Sequence, residues 1–307
     1  MKNISAIISS KTGNDEILDK LSQLPGTELN SILLELFRRR TAQLSPADVL
    51  QQFEKNRFVM PSSIDVINFR NLETAWLKEA AAREFDPVML SPLAPLGTCS
   101  SFKTIDQNNV VSALRGTEVM SDATNMLALI IAQQYKTSKT RQAIKLVAPQ
   151  RLVRAQGLAQ PGHTAHFGIF CMATGGFNTG GFRFEMKQIQ EHLNLHLSLL
   201  SSACKKEGLS IRILLKEKNN VLETAVHTAL EKISAEYAVE ILTQEQPNNY
   251  YNLVQFKTFL RYKGNELNMS DGGFVDWTQQ LLSNKKHRLL ISGIGLELVH
   301  KIKLGMI

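Results

Sequence analysis

The chain has 307 residues, 43% of them hydrophobic and 21% charged, with a net charge of +7. That is enough apolar material for one large core or two ordinary ones. It excludes a disordered chain, and the lack of any run near the roughly 20 apolar residues that span a bilayer excludes a helical membrane protein. The excess of positive charge is compatible with a polyanionic partner, but the basic residues are spread along the chain. Cys99, Cys171 and Cys204 lie far apart, with neither zinc-ligand spacing nor a disulfide framework.

In chain order, the N-terminus has a short apolar run without a long hydrophobic region or cleavage site, so no signal peptide is expected. A cytoplasmic location follows from that and from the unpaired cysteines. DEILDKLSQL, TELNSILLELFRRR and SPADVLQQFEKN read as three helices within 13–57. Pro25-Gly26 separates the first two, and Ser45-Pro46 opens the third as cap and first turn. Residues 1–62 are expected to form a helical extension to a main domain over 63–307. Arg38, Arg39 and Arg40 form the one tight basic cluster, at a helix end that suits cations.

The main domain opens with a helix, LETAWLKEAAARE, and a short strand within DPVMLSPLAPLG. A helix over 121–136 follows, capped by Ser121 or Asp122. AIKLVAPQRLVRA and HTAHFGIFCMAT read as an antiparallel pair joined by a glycine-containing loop. A long helix, 184–208, carries His192 and His196 four apart. That spacing can ligate metal, but no third ligand stands nearby in sequence, and an exposed or interface helix face is expected. Then come IRILLK, ETAVHTALEKISAE, AVEILT, YYNLVQFKTFLRY, DWTQQLLSN, HRLLISGIG and a final helix, LELVHKIK. Hairpin-joined strands mixed with helices predict an α+β fold with a mainly antiparallel sheet flanked by helices.

Several segments carry chemistry. RLVRAQGLAQPGHTAHFGIF (151–170) places Arg154 and Gln156 on one strand, and His166, Phe167 and Phe170 on its return. Tyr250, Tyr251, Gly272, Gly273 and Asp276 punctuate 250–281. LLISGIGLELV (289–299) holds Gly293, Gly295 and Glu297 at a strand-to-helix junction. LRGTEVMSDATNMLALIIAQQY (114–135) offers Arg115, Glu118, Asp122 and Thr124. In this order the four segments resemble motif 2, the Tyr-Tyr and Gly-Gly stretch, motif 3 and the Leu-Arg segment of class II aminoacyl-tRNA synthetases of the histidyl type. FDPVMLSPLAPLG has the shape of motif 1, with Pro92 or Pro95 as the motif proline.

The resemblance implies roles. Arg154 would hold a phosphate by charge-assisted hydrogen bonds, and Phe167 or Phe170 would face adenine. Gln156, His166, Gly293, Gly295 and Glu297 would complete a site for ATP with Mg²⁺. Arg115, Glu118, Thr124, Tyr250, Tyr251, Gly272 and Gly273 would bind substrate, with no protein-held metal. His163, in the hairpin, is a further contact candidate. Motif 1 implies a homodimer.

The departures are as specific. Leu298 stands in place of the motif 3 arginine, Gln156 in place of a glutamate, and Lys257 where an acidic residue would help hold metal or the substrate amine. The motif 2 loop has no arginine, and no anticodon-binding domain is expected after motif 3. Activation of an amino acid needs cations fixed in advance around the phosphates. The expected function is therefore a non-charging paralogue that binds an amino acid or adenine nucleotide as a sensor or regulatory subunit. The precedent is the ATP phosphoribosyltransferase regulatory subunit. A ligase that adenylates a carboxylate for a carrier other than tRNA, and an RNA-binding protein, are the alternatives.

Overall fold

Four helices come first in a computed structural model that describes residues 4–157, 164–243 and 250–307: α1 (Ile4–Thr12), α2 (Ile17–Ser22), α3 (Gly26–Thr41) and α4 (Pro46–Lys55). Ser45 and Asp48 close a reciprocal capping box at the start of α4, as the Ser-Pro signal predicts. Helices α2, α3 and α4 bury none of their residues. At the end of α3, Arg38 and Arg39 both pair with Glu35, so the basic cluster is partly neutralised within its own helix.

The rest of the chain builds one mixed layer. It runs α5 (Val66–Ala82), β1 (Asp86–Pro87), β2 (Leu93–Pro95), α6 (Thr98–Ser101), β3 (Thr117–Val119), α7 (Ala123–Ser138), β4 (Ile144–Val153), β5 (His166–Phe177) and α8 (Arg183–Ser201). It continues with β6 (Leu209–Leu215), α9 (Asn220–Ser234), β7 (Ala238–Thr243), β8 (Asn252–Tyr262), β9 (Asn265–Val275), α10 (Trp277–Leu281), β10 (His287–Ile294) and α11 (Leu296–Lys303). Strands β2 and β3 form a small separate hairpin. The other eight form a sheet in the order β1-β4-β5-β10-β9-β8-β6-β7. Its centre is antiparallel, and only the edge pairs β1–β4 and β6–β7 are parallel. The fold is thus α+β with a mostly antiparallel, mixed sheet.

Two elements depart from the sequence reading. Strand β9 was not expected, because NELNMSDGGFV has few β-branched residues. A turn at Lys263-Gly264, both at positive φ, returns the chain onto β8, and pairing supplies what propensity lacks. Helix α8 ends at Ser201, short of the glycine at 208, where a separate 3-10 turn sits.

Alternation along the strands sorts side chains onto two faces. One face is covered by α5, α8, α9 and α11, with Trp76, Phe170, Met172 and Val299 in one core and Phe256, Phe274 and Leu290 in another. On the opposite face α7 covers Leu146, Ala148, Ala173, Leu289 and Ile291. Beyond the N-terminus of α7, Phe167, Ile169, Gly293, Asp271, Lys257 and Arg212 are only half-buried. This is the open face of the sheet.

Candidate functional site

The floor of the open face is set by register. Phe256, Thr258, Ser270 and Ser292 point to α8, where His196 contacts the Phe256 ring and Ser270, and both His192 and His196 meet Ser292. Their strand neighbours must then point the other way. Lys257 is paired across to Asp271, Asp271 to Gly293, and Gly293 to Cys171, which gives one row across four strands.

A polar chain occupies this floor. Lys216 Nζ donates to Gln255 Oε1 at 3.0 Å, and Gln255 Nε2 donates to Asp271 Oδ1 at 2.9 Å and Oδ2 at 3.2 Å. Gln255 is fully buried. Burial pushes the Asp271 carboxyl up, against the pull of Gln255 and the Lys257 charge. Burial also lowers the Lys216 ammonium, with Lys257 adding to the effect and Asp271 opposing it.

Tyr251 lies directly over Gly273: a Cβ there would come within 2.6 Å of the ring. The Tyr250 ring sits 4.4 Å from that of Tyr251 and stacks at 6.1 Å on Trp277. Burial first, then the charge of Asp122, pushes the Tyr250 phenol up to about 12. Burial, and then Asp271, push the Tyr251 phenol well up too. Both phenols therefore keep their protons at neutral pH and remain hydrogen-bond donors.

Arg154 stands at the end of β4. Its Nε donates to the Ser121 carbonyl at 3.1 Å, and its guanidinium lies 5.3 Å over the Phe167 ring. Asp122 caps α7, accepting from Thr124 N and Oγ1 at 2.9 and 2.7 Å. The charges of Arg154 and Asp122 both act on the Tyr250 phenol, so the α7 terminus and the end of β4 lie near the tyrosines. Gly293 leaves room for Ile169, which a Cβ would approach to 3.2 Å.

The structure thus brings together Arg154, Phe167, Tyr250, Tyr251, Gly273 and Gly293, and separates the other expected residues from them. Phe170 is a correction: it is fully buried on the α5 face, edge-on to Trp76 at 5.4 Å, because it is an odd number of residues from Phe167. His166 shares that face, between Arg151 Nε at 2.8 Å and the Met60 carbonyl at 2.6 Å. Glu297 is buried there as well, in ion pairs with Arg151 at 2.9 Å and Lys301 at 3.0 Å. It also accepts from Gly168 N and Ser62 Oγ. Gly272 makes room for Phe256 and Ser292 on the α8 side.

Arg115 occupies an exposed turn, its N–H bound to Asn30. Glu118 is fully buried, but its carboxylate receives the N–H groups of Gly97 and Cys99 at the start of α6, and Gln107. The Thr124 hydroxyl is taken by Asp122. Gln156 is exposed, and its carbonyl accepts from Arg57. Gly295 leads into α11 against Leu298. Leu298 itself packs on the α5 core. His163 lies outside the described residues.

His192 and His196 are a further correction. They are fully buried rather than exposed, and their ring nitrogens meet Thr174, Ser292 and Ser270. Among the described residues no three His, Cys, Asp or Glu side chains converge on a metal position. Sequence reasoning missed Lys216, Gln255 and Asp271 as site residues. The available signal was Asp271 directly before the two glycines, on a strand that was itself missed.

No protein-family profile matches the sequence, and no curated protein matches it. Solved structures do. An ATP phosphoribosyltransferase regulatory subunit/histidyl-tRNA synthetase from Bacillus halodurans superposes with a TM-score of 0.62 at 14% identity, over 80% of this chain and 82% of that one. Apo histidyl-tRNA synthetase from S. aureus gives 0.61 at 12% identity, over 80% and 70%. A histidine–tRNA ligase subunit from Alicyclobacillus acidocaldarius gives 0.57 at 12% identity, over 80% and 96%. At these identities the likeness establishes the fold: a class II aminoacyl-tRNA synthetase-like core.

Proposed function

We propose that this chain is a non-charging paralogue of the class II synthetase core that binds a small ligand on the open face of its sheet, as a sensor or regulatory subunit. The observation that carries this reading is Arg154. It is anchored to the Ser121 carbonyl, laid over Phe167, and set beside Tyr250, while the strand-to-helix junction that would supply a second cation offers Leu298. One fixed arginine over an aromatic ring suits an adenine nucleotide or an amino-acid carboxylate.

The residues present do not fit a magnesium-bound triphosphate. Lys257 repels a divalent cation on the row where one would need carboxylates, and Leu298 provides nothing to hold outer phosphates. No activation step is therefore assigned. Two structural neighbours, a regulatory subunit/synthetase and a ligase subunit, accord with a core that works within a larger assembly.

The reading includes a homodimer through the β1 edge. Met89, just after β1, is 96% exposed, and a groove of about 680 Å³ beside it is lined by Leu77, Pro87, Met89 and Pro149. Apolar surface of this kind on a sheet edge suits a second protein surface.

Thermal unfolding with ATP, with each amino acid, and with both tests the ligand site. A native-state ligand at a hundredfold excess over Kd adds about 2.7 kcal/mol of stability. The expected result is a rise in Tm with one of these ligands that disappears in Arg154→Ala, and no ATP–pyrophosphate exchange under any condition. Measurable exchange would replace this reading with a ligase; a ligand shift indifferent to Arg154→Ala would place the site elsewhere.

A further inference from the structure

The polar floor of the open face has a charge pattern that selects its ligand. Lys257 points onto this face from the middle of β8, since its neighbours Phe256 and Thr258 point to α8. Across one ladder its partner is Arg212, whose guanidinium is satisfied by Glu240 at 2.9 Å and Glu266 at 2.8 Å. Across the other its partner is Asp271, whose two carboxylate oxygens accept from Gln255. Lys257 itself makes no ion pair or hydrogen bond among the described residues, although it is half-buried. Lys216 brings a second ammonium to the same floor, on Gln255. Arg154 brings a third cation, against the two carboxylates of Asp122 and Asp271.

We propose that Lys257, with Lys216 behind it, receives an anionic oxygen group of the ligand, a carboxylate or a phosphate, so that the floor of this site takes an acid where the resemblance leads one to expect an amine. This rests on the reading of the open face as a ligand site. A half-buried ammonium without a partner is short of the charge-assisted hydrogen bonds it can donate, and an incoming oxyanion supplies them. An ammonium-bearing group in the same place meets the like charge of Lys257, with Lys216 behind it, and Asp271, the carboxylate paired across from Lys257, already accepts from Gln255. The ligand is therefore anionic at this end, and the sensor reads an acid or a phosphate ester.

The test is thermal unfolding at constant ionic strength with succinate, inorganic phosphate and 1,4-diaminobutane, which matches succinate in length with the charge reversed. The wild-type protein should be stabilised by succinate or phosphate and not by the diamine; which of the two acts distinguishes carboxylate from phosphate. Lys257→Met should weaken that anion by about 10- to 100-fold, the loss expected for one charge-assisted hydrogen bond. Lys257→Glu should abolish its effect. Because Lys257 lies on a half-exposed strand surface, both variants should fold, and their Tm without ligand checks this. Stabilisation by the diamine alone, or an anion effect equal in wild type and Lys257→Glu, would overturn the proposal. If ATP or an amino acid produces an Arg154-dependent shift while neither anion does, this inference falls alone. If no compound shifts the wild type, the ligand-site reading falls with it.

Discussion

Two adjacent glycines divide the site from its support. Gly272 and Gly273 are both buried on β9, yet a side chain at each would point to opposite faces. A Cβ on Gly273 meets the Tyr251 ring at 2.6 Å and the Val254 carbonyl at 2.8 Å; one on Gly272 meets Phe256 and Ser292 at 2.5 Å. Each alanine variant should lose about 1–3 kcal/mol through overpacking. Only Gly273→Ala should also displace Tyr251 and weaken ligand binding beyond its loss of stability. Urea unfolding gives the first quantity, and ligand titration at a temperature where both variants are folded gives the second. Equal affinities in the two would remove Tyr251 from the site. The pair was visible in the sequence as Gly-Gly, but its division of labour was not. The face of each residue depends on the register of β9, and the bulge at Met269 of β9, opposite Thr258 and Phe259, makes that register hard to count from the sequence. The same parity problem misassigned Phe170 and His166, which lie on the return strand with Phe167 but on its other face.

At the scale of elements, α8 is joined to the sheet by a polar seam rather than by apolar packing alone. His192 lies 2.8 Å from both Thr174 Oγ1 and Ser292 Oγ, and His196 lies 3.0 Å from Ser292 Oγ and 2.9 Å from Ser270 Oγ. The seam therefore touches β5, β10 and β9. Burial holds His192 well below its ordinary value, with His196 and Lys145 adding to the effect, and lowers His196 to about 3. Both rings are neutral in the folded protein, whereas in the unfolded chain they take up protons near pH 6.5. Stability is then complete above that pH and is lost as pH falls below it, because the unfolded state binds the extra protons. Each histidine should contribute a slope of about 1.4 kcal/mol per pH unit between pH 6 and 4. Urea midpoints at pH 7.5, 6 and 5 measure this, and His196→Gln should remove about half of the slope. A wild-type midpoint flat from 7.5 to 5 would contradict neutral buried rings. The spacing of the two histidines was plain in the sequence. Their burial was not, since α8 has leucines on several sides, and Ser270 and Ser292 come from strands far along the chain.

At the scale of the molecule, the order of the motif-bearing segments made the synthetase-like core legible at 14% identity or less, because a β-hairpin, a Gly-Gly strand and a Gly-x-Gly junction keep their spacing when side chains change. The N-terminal helices lack such a guide, and their relation to the core is a matter for prediction. Helices α2, α3 and α4 bury no residue, whereas the core holds three apolar clusters made almost wholly from residues after 63. The hydrogen bonds between the two parts run from Asn30 to the Arg115 N–H, from Arg57 to the carbonyls of Ala155 and Gln156, and from the 60–62 segment, where the Met60 carbonyl meets His166 and Ser62 meets Glu297. A variant lacking residues 1–55 keeps the last two. It should unfold in urea with a free energy within about 1 kcal/mol of the full chain, since one surface hydrogen bond is worth about that much. If the proposed homodimer forms through the β1 edge, this variant should also have the mass of a dimer by light scattering, because Met89 and that edge lie in the part that remains. A drop of several kcal/mol would show that the extension is a structural part of the core. A dimeric full chain whose truncated form is a stable monomer would show instead that the exposed Ile32, Leu36, Phe37, Val49, Leu50 and Phe53 side chains of α3 and α4 hold two copies together.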